Sequence, residues 1–336
     1  MPAATLDLKI DDDTGMPAMN ILITGGTGFI GAQLVPVLVG APDQAQGDHL
    51  TLLTRQPEKM AKHYAAWADT GRLRFVSSLD ALARDEAFDA VINLAGEGIA
   101  DKPWTTQRKL ELHASRVLLT ESLGDWLRRA KHKPNVLISG SAVGWYGSQG
   151  ERILDEESSA ESGDYTHHLC RDWEAAALAA APANARVCTL RLGVVIGPGG
   201  GMLRRLLPVF GLGLGGVLGN GEQYLSWVSR SDVVQVVLRM LTDRSLHGVF
   251  NLTAPAPVSN AEFTRTLARL LRRPAFLRVP ASVLKLGLGE MSTLLLDGQR
   301  VMPSRLLSAD YRFLHSTLED ALRSALSRND SSRDND

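Results

Sequence analysis

Cysteine is almost absent, with only Cys170 and Cys188 in 336 residues. Two cysteines cannot form the framework of a disulfide-stapled module, and their spacing is not that of a metal site, so no metal is expected. Both read as core-packing thiols, and a reducing cytoplasm suits them. An excess of one charge is also missing: 36 Lys and Arg face 37 Asp and Glu, for a net charge of −1. Without a basic cluster there is no field to gather a polyanion, which argues against nucleic acid as a partner. Long apolar runs are lacking too. The most apolar stretch, "LLPVFGLGLGGVLGNG" from Leu206, is short for a membrane span and is broken by Pro208 and several glycines. It reads as a loop lining a cleft, and no membrane partner is expected. An export signal is equally absent, because Asp11 to Asp13 stand where a basic flank should precede an apolar core. Residues 1–18 read as a disordered arm, or as sequence upstream of a start at Met16 or Met19. Residues 327–336 read as a disordered tail.

What is present is a core-forming chain, 44% hydrophobic and 22% charged. From Asn20 onward apolar strands alternate with helical segments. Strands are expected at 20–25, 49–55, 73–78, 89–96, 135–141 and 185–197, with helices over 28–40, 104–130 and 164–181. Near-continuous apolar strands separated by helices predict an α/β fold, a doubly wound parallel sheet covered on both faces. After Gly197 the composition shifts to Gly/Pro-rich loops, short strands such as "QYLSW" and "GVFNLT", and helices at 230–242 and 259–272. This predicts a smaller C-terminal substrate lobe over the open end of the sheet. The boundaries read as 19–197 for the sheet domain, with contributions from 223–254, and 198–326 for the lobe, including a small C-terminal domain at 273–326. The last helix presents Leu318, Leu322 and Leu326 on one face.

The first strand runs into "ITGGTGFIG", which holds Gly25, Gly28 and Gly31 at G-x-x-G-x-x-G spacing, with Thr27, Phe29 and Ile30 in the same turn. Gly25 permits the sharp turn, Gly28 lets a pyrophosphate approach the backbone, and Gly31 lets the helix pack on the strand. The phosphates then meet the positive end of the helix, which makes this a Rossmann-type dinucleotide site. The second strand ends in Thr54 and Arg55, where NAD-binding chains place a carboxylate on the ribose. An arginine there can hold a 2′-phosphate, and the next carboxylate is Glu58, so the expected cofactor is NADP(H).

With "TGGTGFIG", "INLAG", "LISGSAVGWYG" and "LRLGVVIGPGGG" in this order, residues Asn20 to about Ala254 resemble the short-chain dehydrogenase/reductase superfamily, in its extended, epimerase-like branch. "NLAGEGIADKPWTTQRK", "SRVLLT", "LCRDWEAAA" and "YLSW" resemble an atypical subgroup of epimerase-family proteins of unknown substrate, which also carries a small C-terminal domain. The superfamily implies a Tyr-x-x-x-Lys pair after the fifth strand and a hydroxyl at that strand's end. An unassisted tyrosine has a pKa of about 10, so roughly one in a thousand is ionised at neutral pH, a penalty of about 4 kcal/mol. The lysine relieves it. Here the candidate tyrosine is Tyr165, and the fourth residue beyond it is Leu169. The usual acid/base pair is therefore absent or replaced.

The resemblance implies further sites. Ser141 takes the place of the hydroxyl donor, with Ser139 in the same strand and Tyr146 following it. Leu94, Ala95 and Gly96 should pass the cofactor ribose. Glu97 points into the cleft as a general base, with a raised pKa if buried. Arg116, Arg191 and Gly193 are expected at the cofactor. Lys102, Trp104 and Trp227, with Glu97, are expected to meet substrate. The leading reading is an NADP(H)-dependent oxidoreductase or epimerase-like enzyme, acting by hydride transfer on an unidentified polar small molecule, as a monomer or homodimer. Its acid/base residues are drawn from Glu97, Ser141, Tyr146 and Tyr165. The alternative is a non-catalytic NADP(H)-binding redox sensor or partner-supporting protein.

Overall fold

The structure, a computed structural model, describes residues 18–42, 47–161 and 163–330. Residues 1–17 of the expected arm and 331–336 of the expected tail lie outside the described residues. Seven apolar runs become parallel strands: β1 (Asn20–Thr24), β2 (His49–Leu53), β3 (Leu73–Val76), β4 (Ala90–Asn93), β5 (Val136–Ala142), β6 (Arg186–Leu192) and β7 (Gly248–Leu252). Among the described residues they form one sheet in the order β7-β6-β5-β4-β1-β2-β3.

The runs are apolar on both faces because both faces are covered. Ile21, Ile23, Ile92 and Ile138 pack with Leu34 and Val35 of helix Gly31–Val39 and with Val233 and Val237 of helix Arg230–Thr242. On the other face Leu22, Val91 and Leu137 meet Leu123, Trp126 and Leu127 of helix Leu119–Arg129. Each such side chain contributes about 1.5–3 kcal/mol on burial. The chain starts in mid-sheet, steps out to β3, then crosses to β4 on the other side of β1. Thr24 lies level with Leu53 on one side and Asn93 on the other, so the loops after β1 and β4 diverge at a switch point. A crevice opens there, beyond the carboxyl ends of the strands.

Several expectations change in detail. The 104–130 segment is not one regular helix: Thr106–His113 and Leu119–Arg129 are joined by a π turn at Ala114–Leu118, which re-aims Ser115 and Arg116. The 185–197 run breaks at Gly193, where a Cβ would lie 2.5 Å from the Ser226 carbonyl oxygen. Its second half, Val194–Ile196, leaves the sheet to pair with Trp227–Ser229. The stretch from Leu206 is not a loop. Helix Gly201–Gly211 takes its first part, with Leu203 and Phe210 buried, and strand Gly216–Leu218 pairs with Leu277–Val279. Its helical period was hidden by uniform apolarity. "GVFNLT" returns to the main sheet as β7.

A second core joins Ile196, Leu203, Phe210, Trp227, Phe263 and Leu267 to Leu318 and Leu322 of the C-terminal helix Leu318–Asp330. That helix extends beyond 327, into the start of the expected tail. Trp227 is fully buried in this core and donates its Nε1–H to the Ala256 carbonyl at 2.8 Å, so it walls no substrate pocket. Among the described residues, no helix is long and apolar enough to cross a membrane. Nor do three His, Cys, Asp or Glu side chains gather there as a metal site.

Candidate functional site

The site begins at the switch point. Gly25 has φ +73°, and a Cβ on it would lie 2.5 Å from the Leu94 carbonyl carbon, so only glycine lets the β1 and β4 loops touch. A Cβ on Gly31 would collide with the Gly26 backbone, which fixes how closely the helix sits on its strand. The Gly28 N–H donates to the Gly25 carbonyl at 3.0 Å, and Thr27 and Gly28 are exposed. Helix Gly31–Val39 has no acidic residue in its first turn and no side-chain cap, leaving its positive end for an anion. Ile30 is half-buried at that end. The Phe29 ring turns away, packed against Gly200 and Gly201 with the Arg230 guanidinium 4.6 Å above it.

Below the loops runs a buried polar ladder. Thr24 Oγ1 donates to Asn93 Oδ1 at 2.7 Å, and Asn93 Nδ2 donates to Thr120 Oγ1 at 2.8 Å and to Ser139 Oγ at 3.1 Å. The Leu94 and Ala95 N–H groups donate to Thr24 O and Oγ1, at 3.0 and 3.3 Å. Ser139 therefore stiffens the sheet rather than facing the crevice. The network sets the spacing of the two loops, because an unpaired member would be costly in this interior. Thr24, Asn93 and Thr120 escaped the sequence reading, as single polar residues in apolar runs carry no motif.

Beside β2, Arg55 leaves 89% of its side chain exposed, and its Nη1 donates to Glu97 Oε1 at 2.7 Å. The Thr54 N–H donates to the Val76 carbonyl at 2.9 Å, tying this turn to β3. A cavity of about 360 Å³ opens next to it, lined by Leu53, Ser77, Ser78, Leu79, Leu119 and Ser122 among others. Sequence reasoning missed this cavity because its walls come from three distant segments. The only local signal was the serine pair ending the third strand.

Glu97 opens the loop after β4. Its N–H donates to Ser115 Oγ at 3.1 Å and its carbonyl accepts from Arg116 Nη2 at 2.7 Å. The π turn thus holds the Glu97 backbone from both sides. Arg116 also lies close against Gly96, where a Cβ would be 3.0 Å from Cζ, and 5.4 Å from the Trp173 ring. The Glu97 carboxylate sits between Arg55 and Arg108, the latter 3.6 Å away and 4% exposed. Burial would raise the Glu97 pKa, but the Arg55 hydrogen bond and the two guanidinium charges outweigh it and hold the carboxyl below its ordinary value. The raised pKa expected of a general base is not found, because two cations converge on this one carboxylate. Lys102 is exposed, and Trp104 donates its Nε1–H to the Ile99 carbonyl at 2.8 Å.

At the β5–β6 end, Ser141 is 1% exposed and donates its hydroxyl to Glu174 Oε1 at 2.6 Å. Glu174 accepts from Arg191 Nε and Nη2, each at 2.9 Å, and the Arg191 guanidinium lies 3.4 Å from the Trp145 ring. Arg191 therefore buttresses Ser141 instead of reaching the crevice, and Gly193 serves close packing on Ser226. Glu174 was missed. Its signal was a lone carboxylate among the inward positions Cys170, Trp173 and Ala177 of helix Tyr165–Ala180. Tyr146 is fully buried, its hydroxyl 2.8 Å from both the Asp155 carbonyl and Asn251 Oδ1. It is structural glue between distant segments, not a cleft residue. Tyr165 donates its hydroxyl to the Lys109 carbonyl at 3.1 Å and meets the Trp104 ring edge-on at 5.0 Å. Burial raises its pKa despite the opposing charges of Arg116 and Arg108. Leu169 is buried, His168 exposed, and Arg171 pairs with Asp172, so neither basic neighbour on the helix relieves the phenol.

A family model described as the NAD dependent epimerase/dehydratase family matches residues 21–253. The chain belongs to this family. A domain of unknown function matches residues 279–325. Among relatives of this epimerase/dehydratase chain, an epimerase family protein from Mycobacterium bovis is 39% identical over 311 residues, covering 92% of this chain and 98% of its own. The chloroplastic epimerase family protein SDR39U1 homolog of Arabidopsis thaliana is 36% identical over 310 residues, covering 92% and 87%. The crystal structure of human epimerase family protein SDR39U1 with NADPH aligns at TM-score 0.80 and 32% identity, covering 92% of this chain and 99% of that one. These relatives place the chain with the atypical short-chain dehydrogenase/reductase proteins that its motifs resembled.

Proposed function

We propose that this epimerase-family chain binds NADP(H) in the switch-point crevice and acts by hydride transfer on a polar small molecule. The observation that carries the reading is Arg55: exposed, just past the end of β2, and two residues beyond Leu53 of the cavity wall. The residues present fit the cofactor. The uncapped helix end and the missing side chains at Gly25 and Gly28 suit a pyrophosphate, Arg55 a 2′-phosphate, and the Leu53–Ser77–Leu119 cavity an adenine ring. The human relative crystallised with NADPH supports the same reading.

Bound nicotinamide would supply hydride exchange. The chain supplies the rest. In this proposal Ser141 Oγ, at the end of β5 and bound to Glu174, accepts a proton from a substrate oxygen while it passes its own to the carboxylate. Tyr165 is left as a wall, since its phenol is committed to Lys109. In this reading residues 19–197, with 223–254, hold the nucleotide, and 198–326 cover the substrate. A reducing cytoplasm suits the two thiols, which are free and buried. The near-complete burial of Ser141 favours a second reading, a non-catalytic NADP(H) sensor.

Calorimetric titration with NADPH and NADH tests the proposal. Wild type is expected to prefer NADPH, and Arg55→Ala to weaken NADPH by about 10- to 100-fold, the worth of a charge-assisted hydrogen bond, while leaving NADH within about twofold. Equal binding of the two nucleotides by wild type would overturn it. Stereospecific exchange from labelled NADPH into a carbonyl or sugar-nucleotide panel then separates enzyme from sensor.

A further inference from the structure

Resting on the reading of Arg55 above, we infer that Glu97 is a coenzyme-specificity residue that competes with the 2′-phosphate for Arg55 and so weakens NADP(H) relative to NAD(H). Among the described residues, Glu97 is the only ion-pair partner of Arg55, at 2.7 Å. The two come from opposite lips of the crevice, one after β2 and one after β4, and their bridge spans the tip of β1 between them. A 2′-phosphate seated on Arg55 must either displace this carboxylate or share the guanidinium with it. Sharing brings two anions together.

The two partners are not equally held. Arg55 is 89% exposed and has no second anchor among the described residues. Glu97 is fixed on three sides. Its N–H is bound to Ser115 Oγ, its carbonyl to Arg116, and its carboxylate retains the 4%-exposed Arg108 at 3.6 Å. Arg108 is itself tied to Glu111 at 2.9 Å and to the Gly98 carbonyl at 2.9 Å. When a phosphate takes Arg55, the carboxylate therefore stays in place, paired with Arg108 and still facing the phosphate. An NAD(H) ribose meets a different partner, since a 2′-hydroxyl can donate to a carboxylate and gains from its charge. One lip favours the phosphate and the other opposes it. The balance of the two sets the coenzyme preference.

The test is a titration of full-length wild type, Glu97→Gln, Glu97→Ala and Arg55→Ala with NADPH, NADH and adenosine 2′,5′-bisphosphate. Glu97→Gln is expected to tighten NADPH and the bisphosphate by about two- to fivefold, the size of an exposed ion pair, without tightening NADH. Glu97→Ala has the same expected direction, so a folding defect in one variant leaves the other to decide. A far-UV circular dichroism spectrum and a cooperative thermal melt matching wild type show that a variant is intact, whatever its NADH affinity. Unchanged or weakened NADPH binding in an intact variant, or equal tightening of both nucleotides, overturns the inference. The Arg55→Ala arm keeps the two ideas apart. If it leaves NADPH unaffected, the 2′-phosphate reading itself fails, whereas loss of NADPH there with no gain in either Glu97 variant removes this inference alone.

Discussion

At the β1–β2 end of the crevice, Thr27 and Gly28 are exposed and Arg55 shows 89% of its side chain to solvent. At the β5–β6 end, Ser141 and Arg191 are buried and spend their hydrogen bonds on Glu174, while Tyr146 is sealed by Asp155 and Asn251. One end is open backbone, with an exposed cation just past β2. The other is a side-chain network closed on itself. The open end can take an anion by loosening one exposed ion pair, Arg55 with Glu97, whereas the closed network exposes a proton acceptor only if a buried partner bond is exchanged. The proposed function thus assigns nucleotide recognition and chemistry to structures of different kind, which can be perturbed separately.

The largest expected effect comes from breaking the open end. Gly25→Ala puts a Cβ against the Leu94 carbonyl at a positive φ. It should lower unfolding free energy by about 2–4 kcal/mol and weaken NADPH at least about 100-fold, read by denaturant unfolding and by titration. If Gly25→Ala still binds NADPH like wild type, the open end is not the nucleotide site.

An intermediate effect comes from the closed end. Arg191→Met leaves the Glu174 carboxylate without its two 2.9 Å partners. Urea unfolding should show a loss of about 3 kcal/mol, because a buried charge is left uncompensated, with NADPH affinity changed by less than about threefold. Adding Glu174→Gln should recover part of that stability, since it removes the stranded charge. A parallel collapse of NADPH affinity would break the distinction between the two ends.

The smallest effect sharpens the reading of the tyrosine. Tyr165→Phe deletes one hydrogen bond, to the Lys109 carbonyl. The expected cost is about 1 kcal/mol or less in a thermal melt, with NADPH affinity unchanged. A large fall in hydride exchange, once a substrate is in hand, would return Tyr165 to the chemistry.

How much of the site was legible depends on the range of the interactions involved. Gly25, Gly28 and Gly31 could be read directly, since a tight turn between strand and helix is local and few residues other than glycine permit it. The place of Arg55 could be read for a related reason: it sits a fixed distance past an apolar strand. Tyr146 and Trp227 misled because an aromatic in a family motif looks the same whether it lines a cleft or fills a core. Only their partners, Asn251 and Ala256, more than a hundred and nearly thirty residues away, distinguish the cases. Glu97 misled in the opposite sense: its carboxylate was visible, but not the two arginines that converge on it and lower its pKa.

The sequence by itself determined the strand-and-helix alternation, the glycine turn, the missing lysine and the family. Each depends on neighbours within one turn or one strand, so the order of residues suffices. Tertiary structure alone decided which polar groups remain available, as Glu97 meets Arg55, Ser141 and Arg191 both meet Glu174, and Tyr165 meets Lys109. A side chain's chemistry follows from its type, but its freedom to act follows from what the fold places within hydrogen-bond reach.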